Sequence, residues 1–297
     1  MTIFPHDEFA KNYLEALLGT VGEVKTDRKV PSEIREIDVY FAPFAQPSEK
    51  TVELGLLGRF ADTAALFEPF RNAVQPLEIC SCMGKLFSTF AEAQRKSRRE
   101  KTTLSMDDLP KLWIISPTAS EDFLDAGLHA TLDEENWGTG IYFFGNVSRT
   151  AIIVVHQLPS THETLWLRIL GRDGTQKQAI KELEALPTNN PLREKAVDLL
   201  LNLRTTLQLK EAPDEEENDL IMTLSPIYLE KLEEVRQEGR QETRRNVVES
   251  LLRNRFGSID RQLNAVVEPL SVLAPDEFVF LLTQLSREDL INRFTQA

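Results

Sequence analysis

A dense run of basic side chains is the first feature of this sequence that could bind a ligand. It spans residues 95–101, reads Arg-Lys-Ser-Arg-Arg-Glu-Lys and holds five cations in seven residues. Cations at this density bind phosphate groups, and four of them are candidates for a nucleic-acid contact: Arg95, Lys96, Arg98 and Arg99. The run also suits a helix end, where cations face the negative end of the helix dipole. It therefore predicts either a nucleic-acid contact or a solvated helix end.

The other groupings that could bind a metal or act as nucleophiles give weak signals. His156 and His162 lie six residues apart across a proline, and Cys80 and Cys82 are only two residues apart. A structural zinc site needs four clustered ligands, and this cysteine spacing does not suit a disulfide, so we expect both cysteines to be reduced packing residues. The glycine-rich turns lack the G-x-x-x-x-G-K-[ST] spacing of a phosphate-binding loop. No Ser/His/Asp or Cys/His site can be proposed from spacing.

Composition narrows the class of protein. The chain has 297 residues and is 41% hydrophobic, which is enough for one large or two ordinary domains. Its 34 Lys and Arg against 47 Asp and Glu give a net charge of −13, so any nucleic-acid site must be a local basic patch. Apolar stretches fall far short of the roughly 18 residues that span a bilayer, and the start has no signal-peptide pattern. We expect a cytoplasmic protein with no membrane partner.

The elements that would position these side chains follow from hydrophobic periodicity. Apolar residues at helical spacing predict helices over residues 7–18 and 76–101. Alternating or continuous apolar runs predict strands over residues 23–30, 34–41, 52–60, 111–117, 140–144, 151–156 and 165–170, the first two joined by a Pro31-Ser32 turn. Short apolar runs also fit buried helix, so the last three strands are the least determined. The tryptophans in or beside these runs are predicted to be core residues: Trp113, Trp137 and Trp166.

The rest of the chain is predicted to be helical. Residues 176–186 and 191–209 form a helix pair, and residues 211–219, with six acidic side chains in nine, predict an unpacked linker. Residues 236–246 contain no large apolar side chain and predict a solvated helical stalk. A small all-α module follows. The predicted domains are residues 1–209, a linker and stalk over 210–246, and the module over 247–297.

Two short motifs and the element order carry a family resemblance. Residues 6–11 read His-Asp-Glu-Phe-Ala-Lys at the start of the first helix, and residues 35–38 read Arg-Glu-Ile-Asp on the second strand. With the order helix, three strands, long helix, strand, they resemble the αβββαβ core of PD-(D/E)xK nucleases and their recombination-promoting nuclease and transposase group. A longer pattern over residues 56–59, 67–72, 110–115 and 156–159 resembles a set of cyanobacterial proteins. Residues 247–294 are similar to a helical domain of unknown function that accompanies such nucleases.

The resemblance implies a metal site. In that family two or three carboxylates hold Mg²⁺ or Mn²⁺ against the scissile phosphate, and a lysine in an E-x-K pattern orients the attacking water. The resemblance makes Asp38 the central metal-binding aspartate, Glu53 the third-strand acid and Glu15 an outlying metal ligand. Asp38 and Glu53 are the catalytic candidates. The pattern departs from the family at Gly55, which stands where the lysine belongs.

Two functions remain open from the sequence. The first is a DNA-directed, Mg²⁺-dependent endonuclease of the transposase-associated class, active or with a degenerate site. The second is a non-catalytic scaffold that keeps the nuclease fold, needs no cofactor and assembles with other proteins, or with copies of itself, through its C-terminal helices.

Overall fold

Seven strands of the described residues form one open mixed sheet. The structure is a computed structural model that describes residues 5–30, 35–44 and 50–295. The strands are β1 (Gly22–Val30), β2 (Arg35–Pro43), β3 (Ala65–Pro69), β4 (Lys111–Ser116), β5 (Thr131–Leu132), β6 (Ile141–Phe143) and β7 (Thr150–Val154). Their order in the sheet is β1-β2-β3-β4-β7-β6-β5. β4 runs parallel to both β3 and β7, and the other neighbours are antiparallel.

Thirteen α-helices accompany the sheet among the described residues. They are α1 (Pro5–Leu18), α2 (Lys50–Glu53), α3 (Gly55–Phe60), α4 (Pro76–Glu100), α5 (Glu134–Trp137), α6 (Leu165–Arg168), α7 (Asp173–Glu184), α8 (Pro191–Gln208), α9 (Glu215–Thr223), α10 (Ser225–Phe256), α11 (Arg261–Val272), α12 (Pro275–Gln284) and α13 (Arg287–Thr295). A π-helical turn at Phe123–Gly127 and short 3₁₀ turns complete the connections. Within the described ranges, no helix is both long enough and apolar enough to cross a membrane.

The chain divides into two units, Met1–Ser225 and Pro226–Ala297. In the first unit the long helix α4 covers the central strands and closes a core with them. The buried members of that core come from β2, β3, β4, β7, α4 and the connections: Ile37, Leu66, Val74, Ile79, Cys82, Leu86, Leu112, Ile114, Leu124, Ile152 and Val154. The predicted mixed α/β class is therefore correct.

Several elements form where the sequence predicts them, because the local signals are strong. α1 buries Tyr13, Leu14 and Leu17 on one face. α4 begins with Pro76 in its first turn, and the Glu78 carboxylate accepts a hydrogen bond from the backbone N–H of the preceding Gln75 at 2.7 Å. β1, β2, β4, α7 and α8 also lie within a few residues of their predicted ranges. The predicted Pro31-Ser32 turn lies outside the described residues.

The predicted third strand over residues 52–60 is wrong. This segment forms α2 and α3, joined at Gly55, whose φ of 54° lies in the left-handed region. A side chain at Gly58 would collide with the Thr51 carbonyl oxygen, 2.0 Å from the position of its Cβ. The apolar run is continuous because the short helix α3 is buried around most of its surface, and periodicity does not separate that case from a buried strand. The third strand is Ala65–Pro69 instead.

Two further secondary-structure predictions, one for a strand and one for a linker, are wrong. The predicted strand over residues 165–170 is the short helix α6 (Leu165–Arg168) followed by a turn, and Trp166 and Arg168 of this helix are both 1% exposed. The acidic segment predicted as a linker overlaps the first five residues of helix α9. The Asp214 carboxylate caps this helix by accepting a hydrogen bond from the backbone N–H of Glu217 at 2.8 Å. Both helices form because tertiary partners neutralise their charged residues, which local composition does not reveal.

The second unit has its own core. Residues 232–247 of α10 are exposed throughout, which includes the predicted stalk. Beyond them, α10 to α13 close a cluster whose buried members are Val248, Leu252, Leu263, Val266, Val267, Leu270, Phe278, Leu281, Leu282 and Leu290. Asp260 caps α11 by accepting from the N–H of Leu263 at 3.0 Å.

Candidate functional site

Two carboxylates meet where β2 and β3 lie side by side. In the antiparallel register Val39 faces Phe67 and Tyr40 faces Leu66, so the next positions on the two strands are Asp38 and Glu68. The negative charge of Asp38 acts on the Glu68 carboxyl group. Glu68 is 1% exposed, whereas 21% of the Asp38 side chain is exposed. The pair therefore joins a buried carboxyl group to one that reaches solvent.

The helix α4 adds an amine and a thiol to this pair. The Nζ of Lys85 lies 2.6 Å from Oε2 of Glu68, and the Sγ of Cys82 lies 3.8 Å from the same oxygen. Cys82 and Lys85 are three residues apart and so occupy one face of the helix. Only 13% of the Lys85 side chain is exposed. The contact of Lys85 with Glu68 is thus largely shielded from water.

A second lysine approaches from α1. The Nζ of Lys11 lies 3.2 Å from Oδ1 of Asp38 and 3.3 Å from Oδ2 of Asp7. The Lys11 side chain is 18% exposed. The four residues Asp38, Glu68, Lys85 and Lys11 are called the carboxylate–lysine cluster below.

The electrostatics of the cluster favour a proton on Glu68. Burial, followed by the negative charge of Asp38, raises the pKa of Glu68 to about 8 from an ordinary value of 4.5. Burial by itself would lower the pKa of Lys85, but the charge of Glu68 and their hydrogen bond outweigh it and leave that pKa raised. Burial and the charge of Glu68 also raise the pKa of the Cys82 thiol. Cys82 therefore stays a neutral packing residue.

The two oxygens of the buried Glu68 carboxyl group differ in their hydrogen bonding. The Oε1 of Glu68 is buried and has no hydrogen-bond partner among the described residues. A buried polar atom without a partner costs free energy, on the order of 1–3 kcal/mol. Within the described ranges no group of three or more His, Cys, Asp or Glu side chains is arranged to hold a metal ion. The cluster offers two carboxylates, which is a number that Mg²⁺ accepts when water and substrate oxygens complete its shell.

The structure does not bring Glu53 and Glu15 into the cluster as the sequence predicts. Glu53 lies on α2 with an exposed side chain, and its backbone carbonyl accepts a hydrogen bond from the Trp166 indole at 2.9 Å. The segment of Glu53 is helical, and the acid on the third strand of the structure is Glu68. Glu15 lies on α1 with an exposed side chain, one turn beyond Lys11. Asp38 is the one predicted metal ligand that the cluster contains.

Sequence reasoning assigned no role to Glu68, Lys85 or Lys11. Two signals were available. Glu68 is the single charged residue in the apolar segment Ala65–Pro69, whose five residues are all buried. Lys85 falls on the buried face of α4, between Cys82 and Leu86. A charged side chain at a core position is informative because burial of an unpaired charge is unfavourable.

The remaining candidates lie elsewhere. The basic run ends α4, where Arg95, Lys96, Arg98 and Arg99 are all exposed. His156 is exposed, and its Nδ1 lies 2.8 Å from the Pro117 carbonyl oxygen. Cys80 is exposed, Cys82 is buried and both are free thiols. Exposure of the basic run fits both a nucleic-acid contact and a solvated helix end. Cys82 is a packing residue as predicted, whereas the same prediction is wrong for Cys80, which is exposed.

An acidic helix packs beside the cluster. Arg71, three residues after Glu68, and Arg172 both bind the Glu216 carboxylate of α9, the latter with Nε 3.0 Å from Oε1. Next to it, His6 Nε2 lies 3.7 Å from an oxygen of Glu217. Burial and then the charge of Arg71 lower the pKa of His6 to about 4, so it is neutral at pH 7. The acidic segment is therefore a structural part of this surface.

The fold and the cluster define the class of this protein. It is a mixed α/β protein whose sheet carries Asp38 and Glu68, with Lys85 supplied by the helix that covers them. Comparisons of the chain with protein-family models, with curated proteins and with solved structures find no match. The chemistry of the carboxylate–lysine cluster is therefore the basis on which a function is assigned.

Proposed function

We propose that this chain is a DNA-directed, metal-dependent nuclease-like protein whose site is the carboxylate–lysine cluster. The observation that carries the proposal is the buried Glu68, which lies beside Asp38 across the β2–β3 pair, pairs with Lys85 and keeps one oxygen without a hydrogen-bond partner among the described residues. Two acids and an amine are the groups that the nuclease resemblance implies. The proposal keeps Asp38 and replaces Glu53 with Glu68.

The order of elements supports this proposal. Apart from the short helices α2 and α3, the chain runs α1, β1, β2, β3, α4, β4, with β1 to β3 antiparallel and β4 parallel to β3. The αβββαβ core of the PD-(D/E)xK family has the same order. Asp38 on the second strand and Glu68 on the third strand take the places of its two acids.

The residues fit a divalent cation. A cation beside Oε1 of Glu68 would give that oxygen a partner and would favour the ionised carboxyl group, whose pKa is otherwise about 8. Asp38 would bind the same ion from the more solvent-exposed side of the site. When bound, Mg²⁺ or Mn²⁺ would supply electrostatic stabilisation of a phosphate and a more acidic water.

Lys85 takes the role of the missing E-x-K lysine in this proposal. Phe70 stands two residues after Glu68, where that pattern has lysine, so the strand itself cannot supply the amine. Lys85 brings an ammonium group to Glu68 from α4 instead, at 2.6 Å. Its positive charge would hold the carboxylate in place and bind an anionic oxygen, while Lys11 would orient Asp38.

The test is DNA cleavage with matched variants. Purified protein is incubated with single- and double-stranded DNA, with and without Mg²⁺ or Mn²⁺. We expect metal-dependent cleavage that Asp38→Asn, Glu68→Gln and Lys85→Met each reduce at least 100-fold. Glu53→Gln and Glu15→Gln remove exposed acids of the same type and should leave the rate unchanged. A loss of cleavage in these controls but not in Glu68→Gln would contradict the site.

Metal binding gives a second readout that does not need turnover. At pH 7 a carboxyl group with a pKa of about 8 carries a proton, which a cation must displace. Calorimetric titration with Mn²⁺ in two buffers of different ionisation enthalpy should show the release of about one proton per ion. Glu68→Gln should abolish this release. Binding of Mn²⁺ without cleavage of DNA would indicate a degenerate site.

One observation favours the alternative function, a scaffold that assembles through its C-terminal helices. Leu229, Leu232 and Val235 of α10 are spaced three residues apart and are 64%, 40% and 54% exposed. Exposed apolar residues at helical spacing are typical of a contact with another helix. Sedimentation velocity of the full chain should then show a dimer that Leu229→Gln with Leu232→Gln converts to monomer. A monomeric unaltered protein would exclude self-assembly.

A further inference from the structure

A cavity lies on the first unit, at the start of β4 and β7. Its volume is about 470 Å³, within the range of small-molecule sites. Its walls include Lys111 and Trp113 of β4, Trp137 at the end of α5, Phe143 of β6, and Arg149 just before β7. Cations and aromatic rings therefore line the same space.

The cavity is separate from the carboxylate–lysine cluster. Glu68 is paired with Ile114 in the parallel register of β3 and β4, and Ile114 belongs to the core beneath α4. Successive side chains of a strand point to opposite faces, so Trp113 faces away from α4. There it stacks on Phe60, with ring centroids 4.1 Å apart. Glu68 and the aromatic wall at Trp113 therefore lie on opposite faces of the sheet, and the cavity, which Leu112 of the α4-side core also lines, opens at the start of β4.

The positive charges of the cavity are only weakly neutralised. The Arg149 side chain is 10% exposed, its Nε donates to the Pro110 carbonyl oxygen at 3.4 Å, and its Nη1 lies 3.9 Å from Oδ1 of Asp107. Asp107 is fully exposed and so screened by water. Burial and then the charge of Arg149 lower the pKa of Lys111, against the opposing charges of Asp62 and Asp107. An anion in the cavity would relieve this repulsion.

The aromatic wall is held in place before any ligand binds. The ring centroid of Trp137 lies 5.6 Å from those of both Trp113 and Phe143. The Arg59 guanidinium sits 4.2 Å from the centroid of Trp137 and donates to the Asn136 carbonyl oxygen at 2.7 Å. Trp137 and Phe143 are only half-buried although they touch other rings. Arg59 and the Phe60 ring, whose centroid lies 5.7 Å from that of Trp137, cover part of Trp137, and the exposed remainder of Trp137 and Phe143 is available for a planar group.

We propose that this cavity binds an anionic small molecule with a planar aromatic ring, of the class of nucleoside monophosphates, with the anion against Lys111 and Arg149 and the ring against Trp137 and Phe143. Arg and Lys bind phosphate oxygens with charge-assisted hydrogen bonds, and aromatic side chains stack on any base. A purely apolar ligand would leave Lys111 and Arg149 without an anion, and a bare anion would leave the aromatic rings without a stacking partner. Each would therefore bind less tightly than a ligand with both groups. The proposal does not depend on the nuclease activity.

Calorimetric titration with AMP tests the proposal, with adenosine and inorganic phosphate as separate half-ligands. We expect AMP to bind at least tenfold more tightly than either half. Arg149→Gln and Lys111→Gln should each weaken AMP binding at least tenfold, and Trp137→Leu should weaken AMP and adenosine alike. Arg240→Gln removes an exposed cation of α10 and should leave the affinity for AMP unchanged.

Glu68→Gln separates this site from the cluster, and it should bind AMP as the unaltered protein does. Thermal unfolding of each variant identifies any that fail to fold, and the Arg149 and Lys111 variants provide two independent tests of the anion site. No detectable AMP binding at millimolar concentration would overturn the proposal. Binding that both cation variants leave intact, or that Glu68→Gln abolishes, would also overturn it.

Discussion

The ammonium group of Lys85 lies 2.6 Å from one oxygen of Glu68, while the other oxygen of Glu68 has no partner among the described residues. This asymmetry links the fold to the proposed chemistry. The strand β3 buries the Glu68 carboxyl group, and the neighbouring Asp38 adds a negative charge. Lys85 of α4 supplies one positive charge. The cluster therefore contains an acid whose charged form is only partly compensated.

The pH dependence of stability should report Glu68 directly. Its pKa is about 8 in the folded chain against an ordinary 4.5, so between these values the folded state holds a proton that the unfolded state has released. This contribution is fully present below about pH 4.5 and is lost as the pH rises towards 8. Gln does not ionise, so the Glu68→Gln variant does not lose this stability as the pH rises. Between pH 4.5 and 8 its free energy of unfolding should therefore rise relative to that of the unaltered protein.

The slope of that difference cannot exceed about 1.4 kcal/mol per pH unit for one proton. Urea unfolding at several pH values between 5 and 8 measures it. Glu53→Gln, which changes an exposed glutamate, is the matched control and should show no such slope. A flat difference for Glu68→Gln would mean that Glu68 is already ionised in the folded protein at pH 5.

The α9 helix should depend on one carboxylate. Glu216 binds Arg71 and Arg172 together, whereas its neighbour Glu215 is exposed. Glu216→Gln should lower the free energy of unfolding by about 1 kcal/mol and speed amide hydrogen exchange in α9. Glu215→Gln should change neither. Equal effects of the two substitutions would show that overall charge, not the arginine pair, holds the helix.

Limited proteolysis should distinguish the exposed part of α10 from the packed α9. Residues 232–247 are exposed and have no apolar anchor in a core, so they should open locally and be cut first by a protease of broad specificity such as subtilisin. In α9, Leu220 is buried and Lys177 pairs with Asp219. Mass spectrometry of the early fragments locates the cuts. Initial cleavage within residues 211–224 would be the contrary result.

The basic end of α4 should account for salt-dependent DNA binding. Replacing its four exposed cations by Gln should weaken binding and reduce the slope of log K against log salt by about 0.9 for each lost phosphate contact on duplex DNA. The residues are Arg95, Lys96, Arg98 and Arg99. The control variant replaces four arginines of α10 in the same way: Arg236, Arg240, Arg244 and Arg245. Fluorescence anisotropy at several salt concentrations compares them, and equal losses would point to net charge alone.

Elements with a complete local signal could be predicted from the sequence. α1 and α4 have apolar residues at helical spacing, α8 has the Asn190 cap that accepts from the N–H groups of Leu192 and Arg193, and β2 alternates apolar with charged residues. These signals act between residues a few positions apart, so composition and order are sufficient to specify them. Asp38 could be selected because it lies within such a strand and a recognisable motif.

Only the tertiary structure decided the identity of the third strand, and with it the second carboxylate. Residues 52–60 and 65–69 are both short apolar segments, and which one joins the sheet depends on pairing with β2 and β4. The acidic residues of α9 likewise fold because Arg71 and Arg172 are brought to them from distant parts of the chain. Burial and charge compensation arise between residues far apart in sequence. The pairing of Glu68 with Lys85, and the unpartnered oxygen beside it, could therefore be recognised only in the folded chain.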